Sequence, residues 1–242
     1  MKINNKTIEL YVSTILNKSI NDITNEDLSK IEHLPIDIST IDNKKCDFSF
    51  IMMFPNLKSV SVSNGIIKDS NINILASNNS IIKYTFTKCR LENEKSIYKL
   101  DNALSLSFIK CYMENYDFLQ SFHQLKELSI IDPYNETIID LKTIKSNNLE
   151  SLSIENCVVE HFDLVRSFEK CKEMSFYNSV LEHEKVRNIE FPKSLKKVII
   201  PQLYYYDIPL EQKENINIIT NIMELMSDTD TIDIETSVGK HK

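Results

Sequence analysis

The stretch Leu57-Lys58-Ser59-Val60-Ser61-Val62-Ser63-Asn64-Gly65-Ile66-Ile67 decides the reading of the whole chain, because its pattern returns six more times. The later copies start at Ile81, Ala103, Leu125, Leu149, Cys171 and Leu195, at successive intervals of 24, 22, 22, 24, 22 and 24 residues. In every copy the first, fourth and sixth residues are apolar. The fourth column runs Val60, Tyr84, Leu106, Leu128, Leu152, Met174, Val198, and the sixth runs Val62, Phe86, Phe108, Ile130, Ile154, Phe176, Ile200. Since 42% of the chain is apolar, chance agreement at all these positions has a probability of roughly 10⁻⁸. Freedom to slide the register weakens that by about three to four powers of ten, and the repeat still stands. The second half of the period repeats as well. Residues 113–122 and 159–168 agree at Glu114/Glu160, Tyr116/Phe162, Asp117/Asp163, Ser121/Ser167 and Phe122/Phe168.

Alternating apolar residues over five or six positions describe a short strand with one buried face, and the second half of each period must return the chain to the next strand. No single repeat can bury its apolar side alone, so the repeats stack into one continuous core. About eight parallel rungs at roughly 4.8 Å each give a sheet about 35–40 Å long. The returning halves supply a second apolar layer through Ile74, Leu75, Ile97, Leu100, Phe118, Phe122, Leu141, Ile144, Leu164, Phe168, Val186 and Ile189. Their spacings of three and four predict helical or 3₁₀ turns.

The pattern L-x-x-L-x-L-x-x-N/C-x-L at about 22 residues resembles the leucine-rich repeat family, in its short-repeat bacterial (internalin-like) form. Asn56-Leu57-Lys58-Ser59-Val60 and Asn148-Leu149-Glu150-Ser151-Leu152-Ser153-Ile154 carry the resemblance most closely, and it extends over about residues 31–204. It implies an α/β solenoid, a horseshoe with a parallel sheet on the concave face and short helices or turns on the convex face. It also implies a non-enzymatic role in protein binding. Three departures mark this chain. The ninth column, where the family places Asn or Cys, reads Gly65, Cys89, Cys111, Pro133, Cys157, Ser179, Leu203, so no repeat carries the Asn. An insert, Asp132-Pro133-Tyr134-Asn135-Glu136, interrupts the turn of the repeat starting at Leu125, and the last full repeat is degenerate.

Open ends of a stack need covers. Ile8, Leu10, Val12, Ile15, Leu16 and Ile20 predict an amphipathic cap helix within residues 1–30, and Thr24-Asn25-Glu26-Asp27 has capping-box spacing for a second start. An atypical first strand is expected over residues 31–36, opening a repeat region of about eight units over residues 31–207. Residues 208–242 then form the C-terminal cap, with a helix over 211–226, a possible edge strand at Thr231-Ile232-Asp233-Ile234 and a disordered tail.

Composition narrows the function. Among 242 residues there are two glycines, Gly65 and Gly239, too few for phosphate-cradling loops. A formal charge of −7 argues against a nucleic-acid partner. The N-terminus lacks the apolar run of a secretory signal, and no stretch has the roughly 18 apolar residues of a membrane span. Five cysteines, an odd number without a CxxC pair, point to free thiols in a reducing, cytoplasmic setting. No metal or cofactor is expected.

Candidate sites follow from the strand phase. Position five is a hydroxyl column, Ser61, Thr85, Ser107, Ser129, Ser153, Ser175, on the concave side. Position seven brings Ile109, Ile131, Glu155 and Tyr177, and position eight Lys88, Lys110, Asp132 and Asn178. These eight form the expected partner-binding patch, an apolar centre with a charged rim. Two catalytic or metal readings have less behind them: a Cys157–His161 pair, and a Glu182-His183-Glu184 cluster. The run Tyr204-Tyr205-Tyr206 is read as packing against the C-terminal cap. The leading function is a protein-interaction module of unspecified partner and oligomeric state; the alternatives are a structural spacer or a Cys/His-dependent enzyme.

If the strand phase is right, Leu152→Ala removes a core side chain and costs about 2–5 kcal/mol. Ser153→Ala, one residue on, should stay within about 0.5 kcal/mol. Chemical denaturation of the two variants checks this, and equal losses would place the phase one residue out.

Overall fold

The structure, a computed structural model, describes residues 5–41, 47–132 and 137–220. Within them the period folds into strands β1 (His33–Asp37), β2 (Ser59–Ile67), β3 (Lys83–Leu91), β4 (Ser105–Ile109), β5 (Glu127–Ile131), β6 (Ile138–Asp140), β7 (Ser151–Glu155), β8 (Val158–Glu160), β9 (Glu173–Ser175), β10 (Lys197–Ile199) and β11 (Asn217–Ile219). Nine of these make one sheet in the order β1-β2-β3-β4-β5-β7-β9-β10-β11, and β6 pairs with β8 beside it. The pairs are parallel, as they must be when each strand is followed by a segment that carries the chain back to the start of the next.

Register follows the repeat. Val60, Tyr84, Leu106, Leu128, Leu152, Met174 and Val198 are successive partners across the ladder. Every residue of the first, fourth and sixth columns is buried. Aromatic residues thicken the middle of this core. Phe86 stacks on Phe108 at 5.4 Å between ring centres, Phe108 meets Phe118 at 5.4 Å, and Phe162 meets Phe176 edge-on at 5.0 Å.

The convex layer consists of short helical pieces, as the spacing predicts: α-helices Asp69–Ser77 and His183–Arg187, and 3₁₀ turns Glu94–Leu100, Asp117–Ser121, Leu141–Thr143 and Phe162–Ser167. Leu75, Ile97, Leu100, Phe118, Phe122, Leu141, Phe168, Val186 and Ile189 are buried there, while Ile74 and Leu164 are only partly covered.

At the N-terminal end a helix, Lys6–Leu16, starts on Asn5, whose side chain accepts from the backbone N–H groups of Thr7 and Ile8. Ile8 and Val12, one turn apart, are buried, and Tyr11 and Leu16 pack against the core partly covered; Leu10 and Ile15 are exposed, so the apolar face is narrower than the sequence suggests. The capping box forms as read, with Thr24 accepting from the N–H of Asp27 and the Asp27 carboxylate accepting from Thr24. Asp27 also meets the Lys18 ammonium at 2.8 Å and Lys30 at 3.3 Å. Lys18, followed by Thr24, holds this carboxyl well below the usual carboxylate range.

The C-terminal cap differs from expectation. In place of a helix from residue 211, a single turn at Leu210–Lys213 is followed by strand β11, which pairs with β10. Ile216 and Ile219 sit at helical spacing, but the open edge of β10 presents unpaired backbone groups, and pairing it satisfies more than a free helix would. The rest of the expected helix, the edge strand at residues 231–234, the tail, the insert at residues 133–136 and Cys46 lie outside the described residues.

Gly65 has a steric reason for its identity. A Cβ built there would lie 2.5 Å from Ile38 Cγ2 and 2.7 Å from Ile38 Cβ. Ile38 belongs to the turn after β1 and is itself buried. Gly65→Ala should therefore destabilise by about 1–3 kcal/mol through overpacking, and the double change Gly65→Ala/Ile38→Ala should recover part of that loss in urea titrations.

Candidate functional site

Strand residues with odd positions face out of the sheet opposite to the core. The hydroxyl column, Ser61, Thr85, Ser107, Ser129, Ser153 and Ser175, is half-buried along this face. Beside it, Ile109 is in register with Ile131, and Ile131 with Glu155. Tyr177 continues the row on the next rung, where its carbonyl accepts from the N–H of Asn156. Ile109, Ile131, Glu155 and Tyr177 are all half-buried, and together they make one contiguous surface.

Glu155 is the most organised group in it. Its Oε1 accepts from Ser153 Oγ at 2.9 Å and from Ser175 Oγ at 2.6 Å. Two hydroxyls from adjacent rungs therefore fix the carboxylate. Among the described residues, the ion pairs of this face go elsewhere: Lys83 to Glu127, and Lys126 and Lys172 to Glu150.

The position-eight members of the expected patch do not join it. Asn64, Lys88, Lys110, Asn156 and Asn178 have φ between 51° and 59°, the left-handed region. The backbone kinks there and carries these side chains onto the shoulder of the sheet. Lys88 and Lys110 line a shoulder groove with Ile66, Arg90 and Tyr112, while Asn178 donates to Asn156 Oδ1 at 2.9 Å. Asp132 is a plain correction: it is buried, and its carboxylate accepts from the N–H of Thr137 across the insert at 2.8 Å. An open rim position is closed to it because its carboxylate is held by the backbone of Thr137. Asparagine at three of the five kinked rungs was the cue in the sequence, since its short side chain tolerates φ > 0.

Turn-column cysteines act as hydrogen-bond donors within the stack. Cys89 donates to the carbonyl of Val62, Cys111 to that of Phe86, and Ser179 in the same column to that of Ile154. Each bond reaches back to the sixth residue of the preceding rung. Cys89, Cys111, Cys157 and Cys171 are unbridged and buried. Burial pushes the Cys157 thiol up to about 12 and that of Cys171 up to about 11, and the neighbouring Cys111 together with burial pushes Cys89 up. Cys89, Cys157 and Cys171 are therefore poor nucleophiles at neutral pH, whereas the Cys89 side chain beside Cys111 holds the Cys111 thiol below its ordinary value.

The Cys157–His161 pair is not assembled. Cys157 donates to the Glu155 carbonyl, and His161 Nδ1 lies 2.8 Å from Asp140 Oδ1. Lys142 Nζ stands 2.6 Å from the other ring nitrogen of His161. Asp140, Glu160 and His161 do bring three ligand-type atoms within 4.8 Å of one another, a grouping that sequence spacing did not reveal. Lys142 already supplies a cation to it. Glu182 and His183 also go separate ways: Glu182 accepts from the N–H of Phe162, and His183 pairs with Asp207. Of the tyrosine run, Tyr204 is buried with its hydroxyl on the backbone of Leu181 in the preceding repeat, not on the C-terminal cap, and Tyr206 is exposed.

No family model and no curated protein matches the chain. Solved structures do. Internalin C2 of Listeria monocytogenes is similar with a TM-score of 0.50 at 14% identity, over 74% of this chain and 86% of that one. An internalin F of the same organism gives a TM-score of 0.53 at 15% identity over 92% of this chain, which spans 66% of the internalin's length. The fold is the leucine-rich repeat solenoid that the period predicts. Within the described residues no helix is long and apolar enough to cross a membrane.

Lysine in the left-handed region is strained relative to asparagine. Lys88→Asn and Lys110→Asn should each raise stability by several tenths to about 1 kcal/mol, measured as a shift in the urea midpoint at unchanged slope.

Proposed function

We propose that this leucine-rich repeat solenoid is a non-enzymatic protein-interaction module that holds a protein partner on its concave sheet face. The contact is centred on Ile109, Ile131, Glu155 and Tyr177. The observation that carries this reading is the juxtaposition of half-buried apolar side chains with a carboxylate oriented by Ser153 and Ser175. An apolar centre beside a pre-positioned polar group is the anatomy of a binding face. Tyr177 is the natural anchor, since tyrosine buries a large area at small entropic cost. Support for a non-enzymatic role comes from the burial of all four described thiols, with Cys89, Cys157 and Cys171 pushed up, and from histidines tied to Asp140 and Asp207.

The same reading places the protein in the cytoplasm. Its turn-column thiols stabilise the stack by donating to carbonyls of preceding rungs, and a disulfide would remove those donors.

Cross-linking and mass spectrometry on tagged protein recovered from its native cells tests the face. Ile131→Asp and Tyr177→Ala should each weaken the recovered partner by about five- to thirtyfold, equivalent to about 1–2 kcal/mol. The convex variant Arg166→Ala should retain it. Loss with Arg166→Ala and retention in the two sheet variants would overturn the assignment.

A further inference from the structure

Beyond the left-handed kink, β2 and β3 run on to Ile67 and Leu91. This brings Ile66 into register with Arg90, which bridges in turn to Tyr112. Ile66 is 55% exposed and Tyr112 62%, far more open than the apolar residues of the concave face. The Arg90 guanidinium lies 5.7 Å from the centre of the Tyr112 ring. Lys88 and Lys110 complete the rim of the groove, with Gly65 and Cys89 also lining it.

Three cations thus surround one apolar strip, and among the described residues none of them is in an ion pair. No acidic residue lines the groove itself. Glu92, Glu94, Glu114 and Asp117 line a neighbouring hollow whose wall Arg90 and Tyr112 share, and the Asp132 carboxylate accepts from the N–H of Thr137. The chain as a whole carries a charge of −7, so this concentration of unpaired positive charge runs against its average. Two of the three cations also stand at φ 53° and 54°, where three other rungs use asparagine. Strain kept at such positions marks functional surfaces.

We propose that this shoulder groove is a second docking site, and that it takes an acidic segment of a partner protein whose carboxylates flank an aliphatic or aromatic side chain. The apolar side chain covers Ile66 and the Tyr112 ring. The carboxylates meet Lys88, Lys110 and Arg90, the last with a fork suited to a carboxylate. Phosphates of a nucleic acid would offer the same charge, but three cations match a few carboxylates rather than a continuous polyanion, and the exposed Ile66 and Tyr112 between them call for an apolar side chain.

Fluorescence anisotropy on the full chain tests the site with three dye-labelled probes. These are a short peptide in which glutamates flank two leucines, its lysine-for-glutamate counterpart, and a uridine oligomer of matched length. The glutamate peptide should bind, and the lysine peptide should not. Lys88→Asn/Lys110→Asn, which suits the kinked backbone and so preserves the fold, should weaken binding at least about tenfold, as should Tyr112→Ala. Ile131→Asp on the concave face should leave this binding unchanged, which separates the site from the concave one. Failure of the glutamate peptide to bind, equal binding of the lysine peptide, undiminished binding by the double variant, or preference for the uridine oligomer would each overturn the proposal.

Discussion

Everything in this molecule depends on each rung being unable to bury its own apolar face. A five-residue strand with two inward side chains has no core until another strand lies against it. Once the fourth and sixth positions stack on their equivalents, the backbone ladder, the convex turns and the surface columns are placed by translation. Charge follows the same rule: Lys126, Glu150 and Lys172 occupy one column on successive repeats and pair in alternating sign. These exposed pairs add little stability, but a slip by one rung would set like charges together.

Strand phase and spacing were legible because burial imposes a period of two within the strand and 22 to 24 between strands, and few other residue choices satisfy both. The capping box at Thr24 and Asp27 was legible because its partners lie three residues apart in sequence. Position eight was misread for the opposite reason. Its role is set by a backbone angle, and Lys88 and Lys110 give no sign of φ > 0 in their side-chain chemistry. The C-terminal error arose where one spacing served two structures: Ile216 and Ile219 satisfy a helical face, and the unpaired edge of β10 decided between the alternatives.

Glu155 and the turn column show how a polar group becomes part of a repeat. Ser153 and Ser175 are unremarkable surface residues until stacking brings both hydroxyls to one carboxylate oxygen. Cys89, Cys111 and Ser179 likewise share one column, and each reaches a carbonyl one rung back. Such bonds belong to neighbouring repeats jointly, which is why no single repeat displays them in its sequence.

The Gly65–Ile38 contact has a bearing on how such a chain can grow. Solenoids lengthen by duplication of a unit, and a new rung is accepted wherever its two neighbours present generic surfaces. Between β1 and β2 the surfaces are not generic: a methyl group of Ile38 fills the space that any other residue at position 65 would claim. A duplicated repeat inserted there would carry Cys, Ser or Pro in its ninth column and meet Ile38 head-on. The amino-terminal joint is thereby keyed, and the freedom to gain or lose repeats is confined to the rungs beyond it.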